Sequence, residues 1–327
     1  MRPPRSFCIR FIAVTAVCLL ASVASAVVLR SRHIEGGEYV LVSDVAQYYG
    51  LGRNTSDDRD IARYAELTVE ADRRDVTLNG VQHWINAPIY SAQGKLWISS
   101  TDILKVLDPV LRQGRCPKPL AVRNIILDPG HGGNDRGTHG QIGIEKTLTL
   151  DLAKRVKDQL EARGFQVALT RSTDRLIPLE SRPEIAAQKR ADLFVSIHLN
   201  SGGNAEGIET FCLPPAKAVS TSAPFRGWQA TRDQDAEPGN RNDEQNVWLA
   251  HCVQKSLLRA TGGNDRGVRR ARFLVLRDTA CPAILVEAGF LTNASEERRL
   301  LNADYRDRLA KAILEGILNY KAGVQKQ

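Results

Sequence analysis

NIILDPGHGGNDRG, residues 124–137, joins an apolar, strand-like run to a glycine-rich turn that carries a histidine. Such a turn can bind a phosphate through its backbone N–H groups, or it can present the histidine to a metal ion. A dinucleotide-binding turn requires the spacing G-x-G-x-x-G directly before a helix. Here Asp135 stands where the third glycine should be, and the next helix is expected only near Glu145. The spacing therefore favours a metal site over a phosphate site.

Predicted strands and helices alternate from residue 122 onward. Leucine and valine recur at i, i+4 steps in the helix that begins at Glu145, and Gly164 ends it. Alternation of this kind predicts an α/β fold, with a mainly parallel or mixed sheet and helices on both faces. The predicted strands are 124–127, 165–170, 193–199, 207–213, 273–276 and 283–288, and the predicted helices are 145–163, 179–189, 246–261 and a closing helix with DRLAKAILEGILNY.

Several predicted strands lead into side chains that can bind a metal or carry a proton. His131 lies in the turn after the first strand, His198 ends the strand LFVSIH, and Glu287 ends AILVE. Glu145 opens the helix that follows the first turn. Open α/β sheets form their ligand sites at the carboxyl ends of the strands, so we expect these four side chains to meet at one edge.

Two imidazoles and one carboxylate form a catalytic zinc set that leaves the fourth tetrahedral position for water. We assign one zinc ion per chain to His131, Glu145 and His198, which leaves Glu287 as a general base. Zinc lowers the pKa of its water to about 7, and a nearby carboxylate can pass the proton to a leaving amine. The sequence therefore predicts the hydrolysis of an amide.

The first residues are typical of a secretory signal peptide. MRPPRSFCIR supplies three arginines and no acid, FIAVTAVCLLASV is a short apolar segment, and ASA at 24–26 is a cleavage site. Loss of residues 1–26 removes those three positive charges, so the net charge falls from +8 to +5. The basic residues are scattered, without aromatic interleaving, so no nucleic-acid partner is expected. We expect an exported protein with no stable membrane anchor after cleavage.

Residues 27–115 contain short strand-like runs and are predicted to form a small α+β module, followed by a linker at 116–121. The phrases GGEYVLVSDVAQYYGL and QGKLWISSTDILKVLD read as one strand-plus-helix unit used twice. This pattern resembles the copper amine oxidase N-terminal-like domain. It brings no copper site, because His33 and His83 stand alone in the sequence. The resemblance implies a non-catalytic module associated with the envelope or wall, and a purely structural role is nearly as well supported.

Separated motifs at 122–321 arrive in the order typical of one enzyme family. IILDPGHGG, RADLFVSIHLNS, GIETF and AILVEAGFLTN together resemble the zinc-dependent N-acetylmuramoyl-L-alanine amidases. The resemblance implies a catalytic domain at 122–323, with zinc on His131, Glu145 and His198 and Glu287 as the catalytic carboxylate. It implies cleavage of the amide between N-acetylmuramic acid and L-alanine in peptidoglycan, for wall remodelling or daughter-cell separation. The periplasm or cell wall is the expected location, and an activator protein is a further partner to consider.

Two other functions remain open at this point. A zinc peptidase that cuts within the stem peptide would use the same groups, and a non-catalytic murein-binding protein would retain the fold without turnover. The long polar segment 214–245 is either a lid or part of the substrate groove, or else a solvated loop.

Several other polar residues could have either a structural or a functional role. Asp128 either orients His131 or caps its own turn. Arg171 and Arg182 are more consistent with structural ion pairs than with contacts to the stem peptide's carboxylates. The residues left outside the metal set are His139, His251, Cys116, Cys212, Cys252 and Cys281, and the four cysteines allow three full pairings.

Overall fold

The computed structural model describes residues 27–52, 60–112, 122–227 and 235–325. The predicted signal peptide (1–26) and the predicted linker (116–121) lie outside the described residues. None of the described helices is both long enough and apolar enough to cross a membrane.

Residues 27–112 form short strands with helical turns between them. The strands are β1 (Ser31–Ile34), β2 (Gly37–Leu41), β3 (Ile61–Arg63), β4 (Leu67–Glu70), β5 (Asp75–Leu78), β6 (Val81–Trp84), β7 (Tyr90–Ala92) and β8 (Lys95–Ser99). The helices are α1 (Val42–Tyr49), α2 (Ser100–Asp102) and α3 (Asp108–Leu111), with a π-helical turn at Ile103–Leu107. β2 and β8 pair antiparallel and each runs directly into a helix, as the repeated strand-plus-helix unit predicts.

Residues 122–325 contain the longer helices. The strands are β9 (Asn124–Pro129), β10 (Gln166–Leu169), β11 (Leu193–Asn200), β12 (Ile208–Cys212), β13 (Asp265–Arg270) and β14 (Ala283–Phe290). The helices are α4 (Glu145–Glu161), α5 (Ser181–Gln188), α6 (Asp243–Thr261), α7 (Leu274–Arg277), α8 (Ala294–Leu301) and α9 (Ala303–Gln325), with a 3₁₀ turn at Pro238–Asn242 before α6.

The described strands form two sheets. The larger has ten strands in the order β10-β9-β11-β14-β12-β13-β6-β5-β4-β3, and the smaller has the order β1-β2-β8-β7. β10, β9, β11 and β14 run parallel, whereas β12 is antiparallel to β14. The sheet is therefore mixed, which confirms the predicted fold class. The carboxyl ends of β9, β11 and β14 meet at one edge, where the predicted site residues lie.

Helices cover both faces of the sheet at β9, β11 and β14. On one face, strand residues such as Val195 and Val286 share a large apolar core with α4, α6 and α9. On the other face, Phe194 and Leu285 pack with residues of α5 and α7 in a second cluster. The alternation of Phe194 and Val195 between the two clusters follows from the two-residue period of a strand. Burial on both faces explains why these strands read as continuous apolar runs.

The N-terminal module and the following domain share the ten-stranded sheet. β6 pairs parallel with β13, with His83 opposite Val268. The contact is reinforced because the Gln82 backbone N–H donates to Asp265 at 2.7 Å and the indole N–H of Trp84 donates to the Arg266 carbonyl at 3.1 Å. The module is thus joined to the domain edge to edge.

Two sequence interpretations in this region are wrong. The predicted strand 273–276 is the helical turn α7, and its Val275 and Leu276 are buried on the sheet. A short apolar run does not distinguish a strand from a buried helix by periodicity alone. His83 does not stand alone: its Nε2 lies 2.9 Å from Nδ1 of His251, and the two rings stack with centroids 5.2 Å apart. The pair was not predicted because the two histidines are 168 positions apart in the sequence.

The described part of the segment 214–245 contacts the N-terminal module. Phe225 packs against the apolar cluster that contains Trp97. The Arg74 guanidinium donates to the Ala223 carbonyl at 2.6 Å, and the Val219 N–H donates to the Asn86 side chain at 3.2 Å. Residues 214–227 are therefore fixed to the module.

Candidate metal centre

The turn after β9 brings its histidine to the edge of the sheet. His131 has a positive φ of 62°, in the left-handed region. A Cβ atom at Gly130 would overlap the His198 ring, and one at Gly137 would lie 2.5 Å from Glu145 Oε2. The glycines of the turn are therefore required because the backbone passes directly against the side chains of the site.

His131, Glu145 and His198 converge at this edge. One potential ligand atom from each lies within 4.8 Å of the others. Glu145 Oε1 is 3.1 Å from His131 Nε2 and 2.9 Å from His198 Nδ1. Burial opposes ionisation of Glu145, but hydrogen bonds with the two histidines prevail and lower its pKa to about 2. The carboxylate is thus ionised and directed at both imidazoles, as a cation site requires.

Neighbouring groups fix the orientation of two of these side chains. His131 Nδ1 is 2.8 Å from Asp135 Oδ2, and the other oxygen of Asp135 accepts from the Gly137 N–H at 3.0 Å. Glu145 Oε2 accepts from the Thr138 N–H at 2.8 Å. A carboxylate on one ring nitrogen leaves the other, Nε2, free to face a metal. Sequence analysis missed this role of Asp135, although an acid four residues after the histidine in one turn was a usable signal.

Asp128 has neither of the two roles expected from the sequence. It is fully buried and accepts from Thr170 at 2.6 Å, Ser196 at 2.8 Å and Arg182 at 2.7 Å. Arg182 also donates to the His131 carbonyl at 3.2 Å, so the pair ties α5 to the turn. This contact is structural for both side chains.

Arg171 is likewise buried, and its donors reach backbone carbonyls. It donates to Pro129 at 3.0 Å, to Gly130 at 2.7 Å and to Lys146 at 2.7 Å. The guanidinium therefore clamps the glycine turn to the first turn of α4. Arg182 lines the cleft, but its N–H groups donate to Asp128 and to backbone carbonyls, as those of Arg171 do to carbonyls. Both guanidinium groups are therefore engaged within the protein rather than directed at a substrate carboxylate.

Glu287 lies on β14 directly beside His198 on β11. It lines the same cleft as His131 and His198, and its Oε2 is a buried oxygen with no hydrogen-bond partner among the described residues. Burial raises its pKa well above the usual value, and the charges of Glu145 and Glu209 add to the rise. An unpartnered carboxyl oxygen beside a metal-type cluster is suited to exchange a proton with a bound molecule.

The cleft above these groups has an apolar rim. Leu176, Leu179 and Phe273 are 53%, 56% and 39% exposed, although large apolar side chains are usually covered. All three line the cleft that contains His131 and Glu287. A concave site with a few convergent polar groups and apolar walls is typical of a small-ligand or substrate pocket.

His131, His198 and Glu287 therefore line one cleft, and Glu145 lies within 4.8 Å of the two histidines beneath it. The remaining histidines lie apart from the cleft or face solvent. His139 is exposed in the loop before α4, and His251 is buried against His83. No disulfide joins Cys212, Cys252 and Cys281 in the described part of the chain, and Cys116 lies outside it.

One buried carboxylate beside the site has no counterpart in the sequence analysis. Glu209, on β12, lies opposite Glu287. It accepts from Asn200 at 2.5 Å, Arg266 at 3.1 Å and Arg269 at 2.8 Å. The GIETF motif contains Glu209, but nothing in the local sequence indicates its distant partners.

Known proteins share this architecture. The chain is 35% identical over 204 residues to N-acetylmuramoyl-L-alanine amidase LytC of Bacillus subtilis, which covers 62% of this chain and 36% of LytC. It is 34% identical over 219 residues to N-acetylmuramoyl-L-alanine amidase AmiA of Escherichia coli, which covers 61% of this chain and 76% of AmiA. The chain thus spans about a third of the length of LytC.

Solved structures with a similar fold are also amidases. An N-acetylmuramoyl-L-alanine amidase from Clostridium difficile 630 has a TM-score of 0.50 at 34% identity, over 62% of this chain and 97% of that one. The CwlD amidase from Clostridioides difficile, in complex with the GerS lipoprotein, has a TM-score of 0.51 at 28% identity, over 61% of this chain and 98% of that one. The family described as N-acetylmuramoyl-L-alanine amidase matches residues 125–319, and the chain belongs to that family.

Proposed function

We propose that this protein is a zinc-dependent N-acetylmuramoyl-L-alanine amidase that hydrolyses the amide between N-acetylmuramic acid and L-alanine in peptidoglycan. The observation that supports it most is the convergence of His131, Glu145 and His198 beside the unpartnered oxygen of Glu287. Two imidazole nitrogens and one carboxylate oxygen within 4.8 Å of one another suit zinc with an open coordination position.

Each side chain has a distinct task in this proposal. His131, Glu145 and His198 hold the ion, which supplies Lewis acidity for the attacking water and the scissile carbonyl. Glu287 Oε2 accepts the proton of the attacking water and returns it to the leaving amide nitrogen, so that an amine and a carboxylic acid result. Asp135 holds the His131 ring through Nδ1. The apolar rim of the cleft lies beside these groups and offers apolar surface to a bound substrate.

The site of action and the partners are part of the same proposal. The signal-like residues 1–26 support export to the periplasm or cell wall, where peptidoglycan is found. The structure of CwlD with the GerS lipoprotein supports an activator protein as a further partner. We infer that residues 122–323 form the catalytic domain and that residues 27–115 form a wall-associated module.

Mass spectrometry of digested murein, with and without a chelator, tests the proposal. We expect release of peptides with a free L-alanine amino terminus, together with glycan that lacks peptide, and loss of both products with the chelator. Glu287→Gln should retain one zinc per chain and lose most turnover, whereas His198→Ala should lose both. Glu161→Gln, an exposed acid on α4, is the matched control.

Three results would change the assignment. Products cut within the stem peptide would make the protein a zinc peptidase. A zinc-loaded protein that releases no amino groups would be a murein-binding protein without turnover. Full activity in Glu287→Gln would show that another group is the base.

A further inference from the structure

One face of the ten-stranded sheet continues from the catalytic cleft onto the N-terminal module. Among the described residues, the helix that packs on β12, β13 and β6 is α6, and it lies on the opposite face. The strand registers place Glu209, Arg269 and Trp84 on the same side as Glu287. Their neighbours on the opposite side, such as Val268 and His83, are buried. We call this surface the open sheet face, and its side chains include Glu209, Phe211, Arg266, Arg269, Trp84, Gln82, Asp75 and Thr77.

A bulge in β13 directs two arginines to this face. Ile208 pairs with Asp265 and Thr210 pairs with Val268, so β13 has one extra residue at this point. Gly267 occupies the bulge with a φ of 89°. Arg266 and Arg269 are three positions apart and would lie on opposite faces of a regular strand, but the bulge brings both to Glu209.

The arginine pair carries an excess positive charge beside the catalytic centre. Two guanidinium groups share the single carboxylate of Glu209, whose side chain is 4% exposed. The Arg266 side chain is 34% exposed, and only its Nε is engaged with that carboxylate among the described residues. Its outer N–H groups can therefore donate to a bound carboxylate, in the forked geometry that suits arginine.

The N-terminal module supplies the next part of the face. The Trp84 ring lies under Arg269, with 4.7 Å between the guanidinium carbon and the ring centroid. Arg269 also lies 5.8 Å from the centroid of Phe211, which packs edge-on against Phe273 of the cleft rim. The face and the cleft are thus joined by direct contacts.

We propose that the open sheet face binds the carboxylate-bearing stem peptide of peptidoglycan as it extends from the scissile amide across β12, β13 and β6. This inference rests on the proposed amidase function and adds a binding surface that includes the N-terminal module. Charge complementarity supports it, because a stem peptide carries free carboxylates, whereas the N–H groups of Arg171 and Arg182 are engaged within the protein.

The dimensions of the face suit such a peptide. Neighbouring strands lie about 4.8 Å apart, and the registers place Gln82 on β6 in the same row as Glu287, so the two lie ~14 Å apart across three strand spacings. An extended chain of four residues, the length of a stem tetrapeptide, reaches about 14 Å. A stem peptide with its amide at Glu287 can therefore reach the module, and Thr77 on β5 lies just beyond Gln82, its partner in the sheet.

Binding of a synthetic stem tetrapeptide to the full chain, measured by calorimetry, tests the inference without turnover. Arg266→Gln should weaken the affinity about fivefold, the size of one surface ion pair. Thr77 is exposed and lies on the face, so Thr77→Lys should tighten and Thr77→Glu weaken binding, each about twofold at low salt. Arg308→Gln removes an exposed arginine from α9, on the other side of the sheet, and should leave the affinity unchanged.

Kinetics separate this inference from the proposed function. For each variant we compare KM for a muramoyl tetrapeptide with KM for a muramoyl fragment that carries L-alanine alone. The ratio of the two values cancels general damage to the enzyme, and Arg266→Gln should shift it about fivefold.

Tighter binding of the tetrapeptide by Thr77→Lys and weaker binding by Thr77→Glu would support a peptide on the face. A general loss of structure would weaken binding in both variants, whatever the charge of the new side chain. Equal affinities in the wild type, Arg266→Gln and Thr77→Glu would overturn the inference while leaving amidase activity intact. Weakened binding of peptide-free glycan, with unchanged binding of the tetrapeptide, would overturn it in favour of the sugar chain. A wild type that cleaves neither fragment would refute the proposed function, and the calorimetry would still decide the inference.

Discussion

The buried histidine pair between the N-terminal module and α6 predicts a loss of folding stability in mild acid. Burial, together with the positive charges of Lys255 and Arg259, lowers the pKa of His251 to about 3. Burial also lowers the pKa of His83 well below its usual value, and His251 and Arg270 add to the effect. Both rings are therefore neutral in the folded protein at pH 5.

The sign of the effect follows from the unfolded chain, where both imidazoles titrate near 6.5. Below that pH the unfolded state binds more protons than the folded state, so the free energy of unfolding falls as the pH drops. At 1.36 kcal/mol per pH unit, His251 alone removes roughly 2 kcal/mol between pH 7 and pH 5. His83 acts in the same direction.

Urea unfolding at pH 7 and pH 5, with chelator present, measures this difference. His251→Gln removes one titrating ring, so it should reduce the stability lost between the two pH values by roughly 2 kcal/mol. His33→Gln changes an exposed histidine on β1. Between pH 7 and pH 5 its free energy of unfolding should fall by the same amount as that of the wild type. Other titrating groups, Glu145 included, are common to all three proteins. If His251→Gln and the wild type lost the same free energy, the buried pair would not be the cause.

Three further predictions concern the turn after β9. Asp135→Asn should weaken zinc affinity about 10- to 100-fold, because the carboxylate that orients His131 is lost, and competition with a chromogenic chelator measures it. Gly130→Ala should abolish zinc binding in the same assay, because its Cβ would overlap the His198 ring. Arg182→Met should lower the free energy of unfolding by about 3–5 kcal/mol, because it leaves a buried carboxylate unpaired, and urea unfolding measures it.

Each of these has a matched control. Asp158→Asn changes an exposed acid on α4, and Gly52→Ala adds a Cβ where no atom lies within 4 Å, so both should keep the wild-type zinc affinity. Lys157→Met breaks a surface pair with Glu161 and should cost less than about 1 kcal/mol. A loss in Arg182→Met no larger than in Lys157→Met would mean that the buried pair is not stabilising the turn.

The sequence predicted the strands around the site, and the edge of the sheet at which their side chains meet, because its signals there are local. β9, β11 and β14 are buried on both faces, so each appears as an apolar run that ends in a polar residue. The rule that ligands bind at the carboxyl ends of strands then brought His131, His198 and Glu287 to one edge. The cluster in the structure has this arrangement.

The remaining features depend on contacts between distant parts of the chain. The sequence did not predict β13, because its residues DRGVRR include four charged side chains and a glycine. The segment forms a strand through its pairing with β12 and β6. The pairing of His83 with His251 spans 168 positions. No local pattern of apolar or polar residues carries information about such a partner.

The attachment of the module combines a shared apolar core with a backbone geometry that requires a glycine. A Cβ atom at Gly267 would lie 2.8 Å from the Gln82 carbonyl oxygen, so only glycine lets β6 approach β13 at the bulge. Asp265, two residues earlier, accepts the Gln82 N–H and also that of Gly267. The same bulge directs Arg266 towards Glu209. One glycine therefore serves both the join between module and domain and the arginine pair beside the cleft, so the two features depend on each other.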